Sequence, residues 1–371
     1  MVLLNNYKNA VAMVSSSALV TPQGQLEILM ANVKVLDVTL RDGGYRNNFD
    51  FTDDQARVIT TGLADAGVDL CEIGYCKGSF SPQAGHGLTS DVGARYIQTI
   101  REAARGRIEL AVMVHPRNVS PDDFAMLREQ GVSMIRVCLR REQLDDGLAT
   151  VSLARDHGFS VSANVTHVTS QTPGAVIDTA VRAEGAGADI ICCADSNGHM
   201  LPTDVHRLFS RLSSRLVVPL GFHAHNNLSL ALANAAAAVE AGAEYIDTSV
   251  CGMGKGAGNL HLSMLVAYLE RVGVSHGYDL VKVIELSETI ASLVPQSNMP
   301  SPFMDIVLGT YNFPFDVRQR IQETLERFQL TSEYRALEVM HQQDQIARLA
   351  PRATLPHAFN KPSRSVLEVS R

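Results

Sequence analysis

His223 and His225 stand two residues apart in GFHAHNN, Gly221 to Asn227. On a strand, a spacing of two puts both imidazoles on one side. Far upstream, VLDVTLRDG runs from Val35 to Gly43 and ends in Arg41, Asp42 and Gly43. That run is apolar and β-branched, so it predicts a strand that delivers a cation and a carboxylate at its C-terminal end. Two imidazoles and a carboxylate at one rim would hold a divalent ion with positions left open for substrate. Manganese or magnesium fits such a set, because an octahedral ion also takes oxygen atoms from substrate. A lone HxH is often structural. Asp42 at the same rim is what argues for a metal.

These residues need a scaffold that brings distant strand ends together. From Lys34 onward the chain has a rhythm in which helix-like stretches end in glycine and a strand follows at once. The joints read AGVDLCEIGY (Ala66 to Tyr75), QGVSMIRVCL (Gln130 to Leu139), HGFSVSANV (His157 to Val165), AGADIICCAD (Ala186 to Asp195) and AGAEYIDTSV (Ala241 to Val250). Each glycine falls where a helix C-cap needs a left-handed residue. Each following run is short and apolar, as a buried parallel strand should be. The pattern predicts eight strands, at 34–41, 69–75, 108–115, 134–140, 160–167, 189–195, 218–225 and 245–251, with a helix after each. Helices are expected at Asp53–Ala66, Asp91–Ala104, Pro121–Gln130, Thr203–Arg215 and Leu228–Ala241, among others. Eight such units make an α/β protein of the TIM (β/α)8 barrel class. An open doubly wound sheet is the alternative, but Arg41-Asp42-Gly43-Gly44 is not its glycine-rich phosphate turn.

The rhythm stops near Gly273. Leu280–Leu293 and Asp316–Phe328 read as helices, Pro295 to Pro314 as irregular, and Glu333 to Leu349 as a further helix. The expected organisation is a leader over 1–33, a barrel over 34–274 and a helical C-terminal extension over 275–371.

Composition narrows the class. The 371 residues are 46% hydrophobic, enough for a large core, and carry a formal charge of −7 without a basic block. That argues against a nucleic-acid partner. No apolar run is long enough to span a membrane. Ala10 to Val20 has the flavour of a secretory core, but only Lys8 precedes it as a basic residue. The six cysteines (Cys71, Cys76, Cys138, Cys192, Cys193 and Cys251) lack zinc-finger spacing and mostly sit in strand-like runs. They read as reduced core thiols of a cytoplasmic protein.

In a TIM barrel the polar residues at C-terminal strand ends carry function. Besides Arg41 and Asp42 these are Glu72, His115, His167, Asp195, Ser196 and Asn226. After the eighth strand comes GMGKGAGN, Gly252 to Asn259, which is not a Walker loop because Gly256 follows Lys255. It reads as a mobile rim loop that lets Asn259 approach the metal.

Four segments together, TLRDG, ADSNG, HAHNNLSLALAN and SVCGMGKGAGN, resemble the DRE-TIM metallolyases. That superfamily includes 3-hydroxy-3-methylglutaryl-CoA lyase, isopropylmalate and homocitrate synthases, and 4-hydroxy-2-oxovalerate aldolase. The resemblance covers about residues 34 to 275 and is greatest to the aldolase branch. The glycine loop is short and without the cysteine of the CoA lyases, and the first strand reads RDGGY where the Claisen synthases have RDGEQ. By resemblance, Asp42, His223 and His225 match metal ligands and Asn259 a fourth ligand. Arg41 matches the arginine that stabilises an enolate, Ser196 a residue holding the substrate carboxylate, and Tyr311 a C-terminal tyrosine that reaches the site. The resemblance implies a divalent-metal-dependent aldolase that cleaves or forms a 4-hydroxy-2-oxo acid, releasing a pyruvate-type 2-oxo acid and an aldehyde. It also implies a homo-oligomer and an aldehyde dehydrogenase partner. The alternatives are an acyl-CoA-dependent condensation or lyase on the same scaffold, and a barrel that has lost catalysis and serves as a scaffold. One departure stands out: Tyr45 occupies the place of the aldolases' base histidine. A phenolate favoured by Arg41 and the ion is one candidate base. His167 and a hydroxide on the ion are its rivals.

Overall fold

The structure, a computed structural model, describes residues 32–78, 85–274, 276–297, 303–314 and 316–349. The expected leader lies almost wholly outside these residues. Eight parallel strands close into a barrel in sequence order. They are β1 (Lys34–Asp37), β2 (Leu70–Cys76), β3 (Glu109–Val114), β4 (Met134–Leu139), β5 (Ser160–Val165), β6 (Ile190–Asp195), β7 (Leu220–Ala224) and β8 (Ala243–Thr248). Closure is made by β1, which pairs with β2 on one side and β8 on the other. A helix follows each strand: α1 (Asp53–Asp65), α2 (Ala94–Ala104), α3 (Pro121–Glu129), α4 (Leu144–Asp156), α5 (Pro173–Gly185), α6 (Pro202–Ser213), α7 (Ala231–Glu240) and α8 (Leu262–Arg271). The outward side chains of the strands, such as Ile73, Val112, Ile135, Val161 and Ile246, pack under this ring with no exposure to water.

The barrel interior is layered. Leu36, Leu70, Met134 and Ile190 form an apolar floor. Above it lies a charged layer that the apolar strand pattern does not advertise. Arg136 on β4 bridges Glu72 on β2 (3.1 Å) and Asp247 on β8 (2.7 Å), all buried. Such a cluster holds together only because each charge meets its opposite, and removing one partner of a buried pair costs about 3–5 kcal/mol.

β1 is shorter than the expected 34–41. Asp37 turns its carboxylate onto its own chain, accepting from Thr39 N and Thr39 Oγ1, both at 2.9 Å. The amides of Arg41, Asp42 and Gly43 then converge on the Val38 carbonyl. Arg41 and Asp42 therefore ride on a tight turn above the strand. Gly44 is required there, because a Cβ would lie 2.3 Å from the Phe49 ring.

The extension begins with α9 (Leu280–Leu293), which belongs to the barrel wall. It packs against α1 and α8. Gly62 on α1 makes the close approach, since a Cβ there would meet Leu286 at 2.6 Å. The preceding Tyr278 hydroxyl donates to the Val33 carbonyl at 2.8 Å and accepts from Val35 N at 3.1 Å, pinning the start of β1. Beyond it come α10 (Phe303–Tyr311), α11 (Arg318–Phe328) and α12 (Glu333–Leu349), with a small core of their own around Leu308, Phe313, Leu337 and Met340. α10 lies inside the stretch expected to be irregular. Among the described residues no helix is long and apolar enough to cross a membrane.

Candidate metal and substrate site

β7 holds His223 as its penultimate residue, and His225 follows its end. Their rings meet edge to face with centroids 5.0 Å apart. Asp42 reaches them from the turn after β1. One ligand atom from each of Asp42, His223 and His225 lies within 4.8 Å of the others, and all three residues are buried. His223 Nδ1 sits 2.9 Å from Asp247 Oδ2. That carboxylate fixes the ring so that Nε2 faces the site, the outer support that metal-binding imidazoles need. Burial works against the charge on Asp42, but Arg41 beside it, helped by His225 and His223, outweighs this and holds the carboxyl well below its usual range. Burial pushes the His225 imidazole down to about 4 against the pull of Asp42, so it is neutral near pH 7, as a ligand must be.

Asn259 lies against Asp42. Its Nδ2 donates to Asp42 Oδ2 at 2.9 Å and to the Met253 carbonyl at 3.0 Å. Its Oδ1 is buried without a hydrogen-bond partner. An acceptor left over beside two imidazoles and a carboxylate is what a divalent cation would satisfy. The glycine loop that carries Asn259 is anchored at several points. Its backbone closes onto its neighbours, Asn226 N to Gly258 O at 2.9 Å and Leu260 N to Ala224 O at 3.2 Å. Lys255 N donates to Asp42 Oδ2 at 3.2 Å. Gly254 is needed for packing, because a Cβ would strike the Asn259 amide at 2.5 Å.

Arg41 lies beside this set, its Nη1 2.5 Å from Asp42 Oδ1 and its Nε 2.6 Å from Glu72 Oε2. The interior charged layer thus ends at Arg41 on one side and at His223 on the other. Above them is a cavity of about 100 Å³ lined by Arg41, Asp42, Tyr45, His167, Ser196, His223 and His225, all expected from sequence. His115 also lines it and stacks on Tyr75 with centroids 5.5 Å apart. Ser196 Oγ accepts from His167 N at 2.9 Å, which leaves its hydroxyl hydrogen to donate elsewhere. His167 has φ of 52°, a left-handed backbone that is uncommon outside glycine and concentrated at functional sites.

Two residues sit in settings that the sequence did not foretell. Tyr311 is not among the described residues that line the cavity. Its ring stacks on His341 with centroids 4.8 Å apart, inside the C-terminal helical cluster, and Pro314 reaches the cavity instead. The Tyr45 phenol is not favoured as a phenolate by its protein surroundings. Burial pushes it up, its hydrogen bond with Tyr75 (3.1 Å) offsets this only in part, and Asp42 opposes the help from Arg41. Asp195 proves to be a local cap, accepting from His199 N and Met200 N. Sequence reading missed Tyr75, Arg136, Arg140 and Asp247. Arg136 could have been found as a charge inside an otherwise apolar strand, MIRVCL, whereas Asp247 shares AEYIDT with Glu244 and does not stand out.

A closed (β/α)8 barrel with two imidazoles, a carboxylate and an arginine at its C-terminal mouth has the donor set of a metal-dependent enzyme for small anionic substrates. The family model described as HMGL-like matches residues 32–290, and the chain belongs to that family. It is 33% identical to a 4-hydroxy-2-oxovalerate aldolase of Moorella thermoacetica, over 76% of this chain and 84% of the relative. It is 32% identical to a protein of the same name from Thermomicrobium roseum, over 72% and 75%. Among solved structures, the N-terminal domain of a candidate aldolase from Bacteroides vulgatus is similar, with TM-score 0.70 and 26% identity over 79% of this chain and 98% of that one. The carboxyl transferase domain of Rhizobium etli pyruvate carboxylase shares the fold, with TM-score 0.66 and 19% identity over 88% and 60%.

Proposed function

We propose that this chain is a divalent-metal-dependent aldolase that cleaves or forms a 4-hydroxy-2-oxo acid. The observation that carries it is the convergence of Asp42, His223 and His225 beside Arg41 in one mouth cavity, in a chain about a third identical to proteins named 4-hydroxy-2-oxovalerate aldolase. Asp42, His223 and His225, with Asn259 Oδ1, would hold the ion. A bound divalent ion, manganese or magnesium, would act as a Lewis acid on the 2-oxo group.

The remaining chemistry falls to the chain's own groups. Ser196 donates to the substrate carboxylate. A base at the mouth takes the proton from the 4-hydroxyl, the C3–C4 bond breaks, and its electron pair passes into the 2-oxo acid half as an enolate. The aldehyde leaves. Arg41, held rigid by Asp42 and Glu72, turns its remaining N–H donors to the developing oxyanion. Protonation at C3 then gives the 2-oxo acid. Pro314 and Tyr45 flank the cavity and help keep bulk water from the enolate.

The test is pyruvate release from racemic 4-hydroxy-2-oxo acids by manganese-loaded protein, with elemental analysis of wild type and His223→Ala. The expected result is about one ion per wild-type chain, little in the variant, and turnover only where the ion is held. Silence on every oxo acid, with thiol release from an acyl-CoA, would replace the aldolase with the CoA-dependent reading.

A further inference from the structure

The barrel interior changes character on the way up to the mouth. The floor is apolar, as the inside of a TIM barrel ordinarily is. Two residues further along the same strands, Met134 gives way to Arg136, Leu70 to Glu72 and Ile190 to Cys192. Arg136 is 1% exposed. It reaches across the barrel, because its strand β4 stands opposite β8 in the closed ring. Its Nη1 lies 3.1 Å from Glu72 Oε2 and its Nη2 2.7 Å from Asp247 Oδ2. Cys192 Sγ approaches Nη2 to 3.5 Å.

Stability does not explain this layer. A buried charge cluster rarely outdoes well-packed apolar side chains of the same volume, because each ion is stripped of water on folding. The floor one layer down shows that these strands accept the apolar solution. What sets the layer apart is what its two acids hold. Glu72 Oε2, which accepts from Arg136, also accepts from Arg41 Nε at 2.6 Å. Asp247 Oδ2, which accepts from Arg136, also lies 2.9 Å from His223 Nδ1. Each acid thus uses one oxygen for both neighbours, and Glu72 Oε1 is buried without a hydrogen-bond partner. The path runs Arg41, Glu72, Arg136, Asp247, His223 without a gap. Arg136 itself is not among the described residues that line the cavity.

We infer that Arg136 is a positioning residue. It holds the metal-binding imidazole of His223 and the oxyanion-binding guanidinium of Arg41 in register across the barrel, so that the ion and Arg41 meet the same substrate. The inference rests on the proposed function for the roles of Arg41 and the ion. A guanidinium suits this task and an ammonium does not. Its N–H donors leave in fixed directions within one plane, so two acids drawn onto it are fixed relative to each other, whereas a lysine is a point charge on a flexible stem. A misplacement of about 1 Å between reacting groups is enough to cost about 100-fold in turnover.

The experiment compares full-length wild type, Arg136→Lys and Leu70→Ala, the last a floor residue whose truncation weakens packing alone. Urea denaturation follows folding. The EPR signal of free Mn²⁺ gives metal affinity, the visible spectrum of Co²⁺-loaded protein gives ligand geometry, and pyruvate release from a 4-hydroxy-2-oxo acid gives turnover. Arg136→Lys is expected to bind Mn²⁺ about 10-fold more weakly or worse, the usual effect of disturbing an outer partner of a ligand. Its Co²⁺ spectrum should change, and kcat at saturating Mn²⁺ should fall about 100-fold with little change in KM. Leu70→Ala should lose stability and keep affinity, spectrum and kcat. If Arg136→Lys does not fold, Arg136→Gln with Glu72→Gln, which removes one charge of each sign, is set against Glu72→Gln alone. The double variant should bind Mn²⁺ about 10-fold more weakly than the single one. Affinity, spectrum and kcat of folded Arg136→Lys within about twofold of wild type overturn the inference, as do equal losses in Leu70→Ala or equal Mn²⁺ affinity in the double and single variants. If wild type releases no pyruvate from any such acid, the aldolase reading falls, and the Mn²⁺ and Co²⁺ readouts still decide whether Arg136 positions His223.

Discussion

Tyr45 lies three residues after Asp42, and its protein surroundings push its phenol up. Its hydroxyl shares a 3.1 Å hydrogen bond with Tyr75, and burial pushes both phenols up. A neutral phenol can donate or position but is a poor proton acceptor near pH 7. His167 lies on the same cavity, and burial, reinforced by Arg140, pushes it down to about 4, so it is a neutral imidazole able to accept a proton. His167→Ala is therefore expected to lower kcat about 100-fold or more, the usual worth of a general base. Tyr45→Phe should cost less and act mainly on KM. Steady-state cleavage of a 4-hydroxy-2-oxo acid, with metal content measured in each variant, decides between them. The reverse order would return the base to Tyr45. The grouping of Asp42, His223 and His225 was legible at this scale because HxH on a strand and a carboxylate after another need only period-two geometry. The protonation of Tyr45 was not, because it depends on Tyr75 and on burial, which come from other parts of the chain. Asp247 was hidden for the same reason: its role is to orient His223, and nothing local to AEYIDT says so.

At the level of elements, the glycine joints announced the barrel because a left-handed cap followed by an apolar run marks each α-to-β passage. α10 escaped because it is short, flanked by prolines in sequence, and apolar nearly all round (FMDIVLGTY), leaving no stripe to detect. Asn312 ends it with φ of 59°. The same residue then fastens it to the mouth. Its Oδ1 accepts from Thr169 Oγ1 at 2.8 Å and Asn197 Nδ2 at 2.6 Å, and its Nδ2 donates to the Thr169 carbonyl at 3.0 Å. The Gly309 carbonyl lies 2.6 Å from His199 Nδ1, and a Cβ on Gly309 would strike Asn227 at 2.7 Å. Asn312→Ala should loosen α10 from the loops after β5 and β6. It should lower kcat/KM roughly 10-fold while unfolding shifts by only about 1–3 kcal/mol, the cost of leaving buried partners unmet. Unchanged kinetics with the same loss of stability would make this contact purely structural. A truncation meant to remove the cover should follow Ser297. A cut after Arg271 would strip away α9 and expose Gly62, Val35 and their neighbours.

The molecule as a whole carries titrating groups that pull its stability in opposite directions. Burial pushes the Asp37 carboxyl up to about 7 despite its bonds to Thr39. The folded state then holds a proton that the unfolded chain releases near 3.8. Stability from this group is lost as pH rises from about 4 to about 7 and is flat above. His115, pushed down to about 3 by burial and then Arg140, works the other way: its contribution is lost as pH falls below about 6.5. Asp37→Asn should therefore raise stability at pH 8 relative to pH 5, and His115→Gln should flatten the acid side, both read by urea denaturation of the metal-free protein. An unchanged pH profile in Asp37→Asn would mean that its carboxyl titrates as it does in water. The donor set has a consequence for how the protein is made. Asp42 lies just after the first barrel strand, whereas His223, His225 and Asn259 follow the seventh and eighth. A nascent chain emerges N-terminus first, so it presents a lone carboxylate through most of its synthesis. The complete donor set exists only once β8 has closed onto β1. Ion capture by this set would then be a late event in biogenesis, and a ribosome stalled before the glycine loop would display a chain without Asn259.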